Sequence, residues 1–218
     1  MIPLRDVIPS RTTPYITVTI IVLNAIAWCY ELLLPSDVLA AFLQIYGVVP
    51  ADFEASTLLT SMFLHGGWMH IIGNMWYLWI FGDNVEDRVG HAGFIVFYLL
   101  CGVVAALGQT VLDPESTLPM IGASGAIAGV MGAYFVLYPR SRVLTLIPLF
   151  IYWEIIEVPA IMLLGFWFLL QLFSAGAIAV TASTGGGVAF MAHIAGFVAG
   201  IGAIYVFRRR QRPQQDWA

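Results

Sequence analysis

The chain has 218 residues, 60% of them hydrophobic and only 10% charged, with a mean hydropathy of +0.88 and a net charge of −4. Soluble domains are roughly 45–50% apolar and about 25% charged, so this composition excludes a soluble globular protein. The acidic balance gives nucleic acid no footing, and two cysteines that both fall in apolar runs are expected as buried thiols rather than a disulfide framework.

Residues 1–14 carry Arg5, Asp6 and Arg11 without an A-x-A-like cleavage site after a short apolar core, so no cleavable signal peptide is expected. Free of Asp, Glu, Lys and Arg are residues 12–30, 55–82, 89–112, 116–139 and 158–207. Each is long enough for the ~20 residues of a membrane-crossing helix. The last is interrupted by Thr181-Ala182-Ser183-Thr184-Gly185-Gly186-Gly187, a turn-forming stretch that divides it into two crossings. The pattern predicts an all-α membrane protein, a single six-helix transmembrane bundle over 1–218, with helices near 14–34, 66–82, 92–112, 122–138, 158–180 and 189–207. Between the first two, residues 31–64 are apolar for a loop and are expected in the membrane interface. All nine cations are arginines: Arg5, Arg11, Arg88, Arg140, Arg142, Arg208, Arg209, Arg210 and Arg212. Six crossings put every one of them on a single side, which the positive-inside rule makes cytoplasmic together with both termini.

In the second crossing, His70 and Asn74 are four apart and share a helical face, where both can aim N–H groups at one point. Such a pair could hold the negative oxygen of a tetrahedral intermediate. An interfacial histidine and an interhelical hydrogen bond would account for the same two residues. His65, five residues before His70, is expected on a different face. His91, after Arg88, reads as a solvated boundary residue, and Asp83 as the end of the second crossing. Trp68, Trp76, Trp79, Trp153 and Trp167 read as an aromatic belt near helix ends.

The fourth crossing opens on Gly122-Ala123-Ser124-Gly125, and the sixth carries a lone histidine in Ala192-His193-Ile194-Ala195-Gly196. Ser124 alone fits a packing role, since Gly125 and Gly129 follow the small-xxx-small pattern of close helix contacts. Ala192, Gly196 and Gly200 give the sixth crossing a matching face. If the two faces pack, a short serine and an imidazole come within hydrogen-bond reach. Burial disfavours imidazolium, so His193 is expected neutral and able to take the Ser124 proton. No acid lies in either crossing, which makes a Ser-His dyad the pattern rather than a triad. Both residues fall at the non-cytoplasmic ends of their helices, where a water-filled cavity is expected.

Other hydrolase chemistries lack their parts. None of the four histidines is followed by glutamate, so there is no H-E-x-x-H zinc helix, and no metal or other cofactor is expected. Asp83 has no facing carboxylate in another crossing for an aspartyl mechanism. Glu154 and Glu157, between Pro148 and Pro159, read as an interfacial segment on the cytoplasmic side. The glycine-rich stretch 181–187 is either a flap over the site or a plain turn.

Over nearly its whole length the chain resembles the rhomboid family of intramembrane serine proteases. Gly122-Ala123-Ser124-Gly125 resembles the family's G-x-S-G, with Ser124 as nucleophile, and His193 resembles its general base. His70-Ile71-Ile72-Gly73-Asn74 resembles the H-x-x-x-N that helps form the oxyanion hole with the Ser124 amide. Phe81-Gly82-Asp83-Asn84-Val85-Glu86-Asp87 is similar to the family's second-helix terminus, which implies a structural role for Glu86. Two features depart: the first loop lacks a Trp-Arg pair, and Ala128 stands where some members carry a tyrosine that stacks on the histidine. The resemblance implies an intramembrane endopeptidase acting on transmembrane protein substrates, helped by small residues at the scissile position and helix-breaking ones nearby. The setting it implies is a lipid bilayer, with a bacterial cytoplasmic membrane the expected location. A non-catalytic relative that binds or escorts membrane clients is the alternative. The oligomeric state is left open.

Overall fold

The computed structural model describes residues 1–149, 152–181 and 189–208. The stretch 182–187 of the candidate flap and Arg209, Arg210 and Arg212 lie outside the described residues. A short strand β1 (Ile2–Asp6) leads into helix α1 (Tyr15–Glu31). Next come two short helices, α2 (Ser36–Tyr46) and α3 (Thr57–Thr60), and then the long helices α4 (Trp68–Val89) and α5 (His91–Leu112). Helix α6 (Ser124–Leu137) is followed by strands β2 (Arg142–Leu149) and β3 (Tyr152–Pro159), then α7 (Ala160–Thr181) and α8 (Phe190–Phe207).

By length and apolar composition, three of these helices can cross a membrane: α5, α8 and residues Ala160–Ala177 of α7. Helices α1 and α6 are apolar but shorter, at 17 and 14 residues. Helix α6 is the centre of the bundle. Every residue from Gly125 to Tyr134 is buried, as a helix that is apolar all round requires.

Helix α4 runs seven residues past the expected end at 82, through Asp83, Glu86, Asp87 and Arg88. The charges do not stop it because the chain before α1 and the first turn of α1 come to meet them. Glu86 is buried and its carboxylate accepts from the backbone N–H of Ile16 (3.0 Å) and Thr17 (2.8 Å) and from the Thr17 hydroxyl (2.7 Å). These are amides that a helix start leaves without intrahelical partners. Asp87 accepts from Arg11 N and Thr12 N, and Asp83 from the Ser10 hydroxyl. Asp83 is therefore an internal helix residue. His91 is likewise not simply solvated: its Nδ1 lies 2.5 Å from Glu86 Oε1 and its ring edge meets Tyr15. With α4 extended, Trp76 and Trp79 sit within it rather than at an end, and Trp76 Nε1 donates to the Pro3 carbonyl. Cys101 is buried as expected, whereas Cys29 is exposed on α1.

The expectation of an all-α chain is corrected by a three-stranded antiparallel sheet in the order β1-β2-β3. Glu154 and Glu157, expected in an interfacial segment, fall on its β3 edge strand, and Arg142 reaches Glu157 across the pair at 3.4 Å. Val143, Thr145, Ile147, Ile155, Ile156 and Val158 supply the β-branched side chains that suit a pleated surface. The hairpin's base is closed onto the bundle by Ala160 N donating to Ser141 O at 2.7 Å. Asp6, on β1, accepts from the Tyr134 hydroxyl of α6 (2.6 Å) and the Asn84 amide of α4 (3.0 Å), so the sheet is tied to the bundle's central helix.

Candidate active site

Ser124 is the first residue of α6, and the chain reaches it through a turn at Gly122 with φ of +118°. Only glycine adopts that conformation without strain. The turn is anchored by Gly122 N donating to Ser61 O at 2.9 Å. Space makes the same demand: a Cβ on Gly122 would lie 2.6 Å from His70 Nε2.

His193 sits in the first turn of α8, and its Nε2 is 2.8 Å from Ser124 Oγ. The approach depends on glycine. A Cβ on Gly196 would stand 2.1 Å from the Gly125 carbonyl oxygen, one on Gly200 1.9 Å from that of Gly129, and one on Gly132 2.1 Å from that of Phe197. Gly125 and Gly129 in turn fit over Ala105 and Cys101 of α5. Helices α6 and α8 therefore touch backbone to backbone, which brings the short hydroxymethyl side chain of Ser124 and the His193 imidazole together.

His193 Nδ1 faces Gln171 Oε1 of α7 at 2.8 Å. The Gln171 amide nitrogen donates to the Trp167 carbonyl at 3.4 Å, and the Trp167 ring lies 5.8 Å from the imidazole, tilted by 38°. Sequence reasoning missed Gln171. The one available signal was a lone amide side chain inside an otherwise apolar run.

His70 and Asn74 converge on the turn before Ser124: the position of a Gly122 Cβ is 2.6 Å from His70 Nε2 and 3.6 Å from Asn74 Nδ2. Gly66 N donates to His70 Nδ1 at 3.3 Å, so a neutral His70 carries its proton on Nε2, toward the serine turn. His65 is not on a separate face. It precedes α4, its ring meets that of His70 edge-on at 5.0 Å, and its Nε2 is 3.0 Å from Asn74 Nδ2. His65 is held from behind by the buried Glu31 carboxylate, which accepts from its backbone N–H. Burial, aided by the nearby His70, pushes the His65 imidazole down to about 4. It is neutral at pH 7, and its Nε2 lone pair takes one Asn74 N–H, while the other has no hydrogen-bond partner among the described residues.

A cavity of about 30 Å³ adjoins Ser124, lined among others by Gly102, Ala105, Met120, Ala126 and Ala192. It has room for a methyl-sized group. Among the described residues no three His, Cys, Asp or Glu side chains converge as a metal site would require.

Long apolar helices around a buried, glycine-packed centre, with a serine, a histidine and amide donors at one end, define an integral membrane protein with a polar site. The Rhomboid domain family matches residues 52–210, and the chain belongs to the rhomboid family. It is 30% identical over 127 residues to "Putative rhomboid protease YdcA" of Bacillus subtilis, covering 57% of this chain and 62% of that protein. It is 36% identical over 98 residues to "Rhomboid protease GluP" of Bacillus subtilis (45% of this chain, 19% of that protein). With "Rhomboid-like protein 11, chloroplastic" of Arabidopsis thaliana it shares 35% over 88 residues (40% of this chain, 30% of that protein). The chain thus spans less than two thirds of the length of these relatives.

Proposed function

We propose that the chain is an intramembrane serine endopeptidase that cleaves transmembrane segments of other proteins by a Ser124-His193 dyad. The 2.8 Å contact between Ser124 Oγ and His193 Nε2 carries this reading. Ser124 Oγ attacks the scissile carbonyl carbon while its proton passes to His193 Nε2. His70 Nε2–H, the free N–H of Asn74 and the Ser124 backbone N–H donate to the oxyanion. The imidazolium then protonates the leaving amine, and water hydrolyses the acyl-enzyme by the reverse use of the same base. An intact substrate helix hides its carbonyls in its own hydrogen bonds, so substrates bend or unwind near the site. The small cavity beside Ser124 favours small residues at the scissile position. Glu86, Gly125, Gly129, Gly196 and Gly200 serve structurally, holding α1 to α4 and α6 to α8.

We further propose six crossings with both termini cytoplasmic, in a bacterial cytoplasmic membrane. The Bacillus subtilis relatives fit this location, and relatives named chloroplastic and mitochondrial fit an organelle membrane equally. Intact-protein mass after incubation with a fluorophosphonate tests the chemistry without a known substrate. The expected result is one adduct on the wild type and none on Ser124→Ala or His193→Ala. A folded wild type that takes no adduct sinks the protease reading and leaves a client-binding rhomboid protein.

A further inference from the structure

We infer that Gln171 is the positioning residue for His193: its carbonyl oxygen holds the proton of the imidazole on Nδ1 and so leaves the Nε2 lone pair facing the Ser124 hydroxyl. The inference rests on the Ser124-His193 reading and supplies what a bare dyad lacks.

A neutral imidazole has one donor and one acceptor nitrogen, and the partner of one fixes the role of the other. Only the Nδ1–H form can take the serine proton at Nε2. With Nδ1 bare, Nε2 would carry the hydrogen and donate to Ser124 Oγ, leaving the hydroxyl proton without a base. The choice therefore turns on which end of the Gln171 amide faces His193. An amide's oxygen and nitrogen are told apart by their partners. The Trp167 carbonyl can only accept, and it lies 3.4 Å from one end of the amide, which must be the NH₂. The end 2.8 Å from His193 Nδ1 is then the oxygen, which can only accept. A helix carbonyl four residues back thus sets the tautomer of a histidine on another helix. The ring has a second restraint in Trp167, packed 5.8 Å away, while buried Ala128 contributes no ring to stack on it.

Glutamine suits the task at membrane depth. A carboxylate would orient Nδ1–H as well but would place a charge among apolar helices, where ionisable groups are costly. An amide orients without charge. The bond also makes the base depend on three helices, with the nucleophile on α6, the base on α8 and the positioning residue on α7.

The test compares wild type, Gln171→Met, Gln171→Glu and His193→Ala in detergent micelles. Methionine keeps length and volume without an acceptor of comparable strength, and glutamate keeps a facing oxygen. The measurements are the rate of fluorophosphonate labelling at Ser124, kcat and KM on a glycine-containing transmembrane peptide, and the ¹⁵N signals of the histidine rings. The hydrogen bond behind a metal-bound histidine is typically worth 10–100-fold, and on that scale Gln171→Met should label and turn over about 10–100-fold more slowly, with KM within about twofold of wild type. Gln171→Glu should recover most of the rate. The His193 ring, assigned by its absence in His193→Ala, should be Nδ1-protonated in wild type and lose that preference in Gln171→Met. Wild-type labelling by Gln171→Met, or a wild-type His193 protonated on Nε2, overturns the inference. If His193→Ala labels as fast as wild type, the dyad itself has failed, and the ring spectra still decide whether Gln171 sets the tautomer. If Gln171→Met fails to fold, Gln171→Glu decides: a loss of rate there equal to His193→Ala overturns the inference.

Discussion

In the proposed mechanism His70 and His193 are put to opposite uses, and the difference lies in which nitrogen each neighbour occupies. A backbone N–H at His70 Nδ1 leaves a donor at Nε2, whereas a carbonyl oxygen at His193 Nδ1 leaves an acceptor at Nε2. Asn74 is aimed in the same way, with one N–H spent on His65 Nε2. Asn74→Ala should therefore lower kcat by about 10²–10³-fold with little change in KM, as removal of one oxyanion donor does. Two groups outside the spanning helices give stability opposing pH slopes. The native state resists protonating His65, brought down to about 4 from 6.5, so stability is lost as pH falls through that window. Asp6 is raised from 3.8 to about 6, mainly by burial and against the opposing Tyr134 hydrogen bond, so its contribution is present at low pH and lost as pH rises toward 6. Asp6→Asn removes only the second slope. Its melting temperature in detergent should fall more steeply than wild type's between pH 6.5 and 4, and an unchanged slope would refute the assignment.

At the scale of the element, the α6-α8 contact is the device on which the site depends. Gly200→Ala places a methyl where the Gly129 carbonyl oxygen stands 1.9 Å away, and backbone cannot yield as a side-chain tip can. Overpacking of this kind costs about 1–3 kcal/mol or more. The variant should melt at lower temperature and label more slowly at Ser124, because parting the helices lengthens the Ser124-His193 contact. Glu86→Ala should destabilise without touching the site, by leaving the N–H group of buried Thr17 and that of part-buried Ile16 unpaired; a buried donor left without a partner costs about 1–3 kcal/mol. Much of this level is legible in the chain: charge-free runs mark α1, α5, α6, α7 and α8, and small residues four apart mark the faces of α6 and α8. The sheet is not legible. β3 is exposed along most of its length, so apolar and polar residues do not alternate cleanly, and β2's other partner, β1, lies some 140 residues away with a proline in it. The end of α4 misleads for a related reason, since four charges resemble a helix exit until residues 10–17 arrive to bind them. Gln171 has no spacing relationship to His193 that a reader of one helix at a time could see.

At the scale of the whole molecule, side-chain contacts collect one set of helix ends without reference to any membrane. The start of α1 meets the end of α4 through Glu86, Tyr15 of α1 meets His91 of α5, Phe97 near the start of α5 meets Phe207 at the end of α8, and Asp6 meets Tyr134 late in α6. Arg5, Arg11, Arg88, Arg140, Arg142 and Arg208 all belong to these ends or the segments joining them, while Ser124 starts α6 at the other. The cation distribution and the packing thus define the same polarity, and it places Ser124, the proposed nucleophile, away from the arginines. Val7 at the arginine end and Leu118 beside the serine turn are both exposed, which makes them reporters of sidedness. In a Cys29→Ser background, with buried Cys101 left in place, Val7→Cys and Leu118→Cys should react with a membrane-impermeant maleimide from opposite faces of oriented vesicles. Val7→Cys should label from the cytoplasmic face, because arginine-rich ends are retained there. Labelling of both from one face would break the six-crossing topology, and labelling with the faces exchanged would invert it.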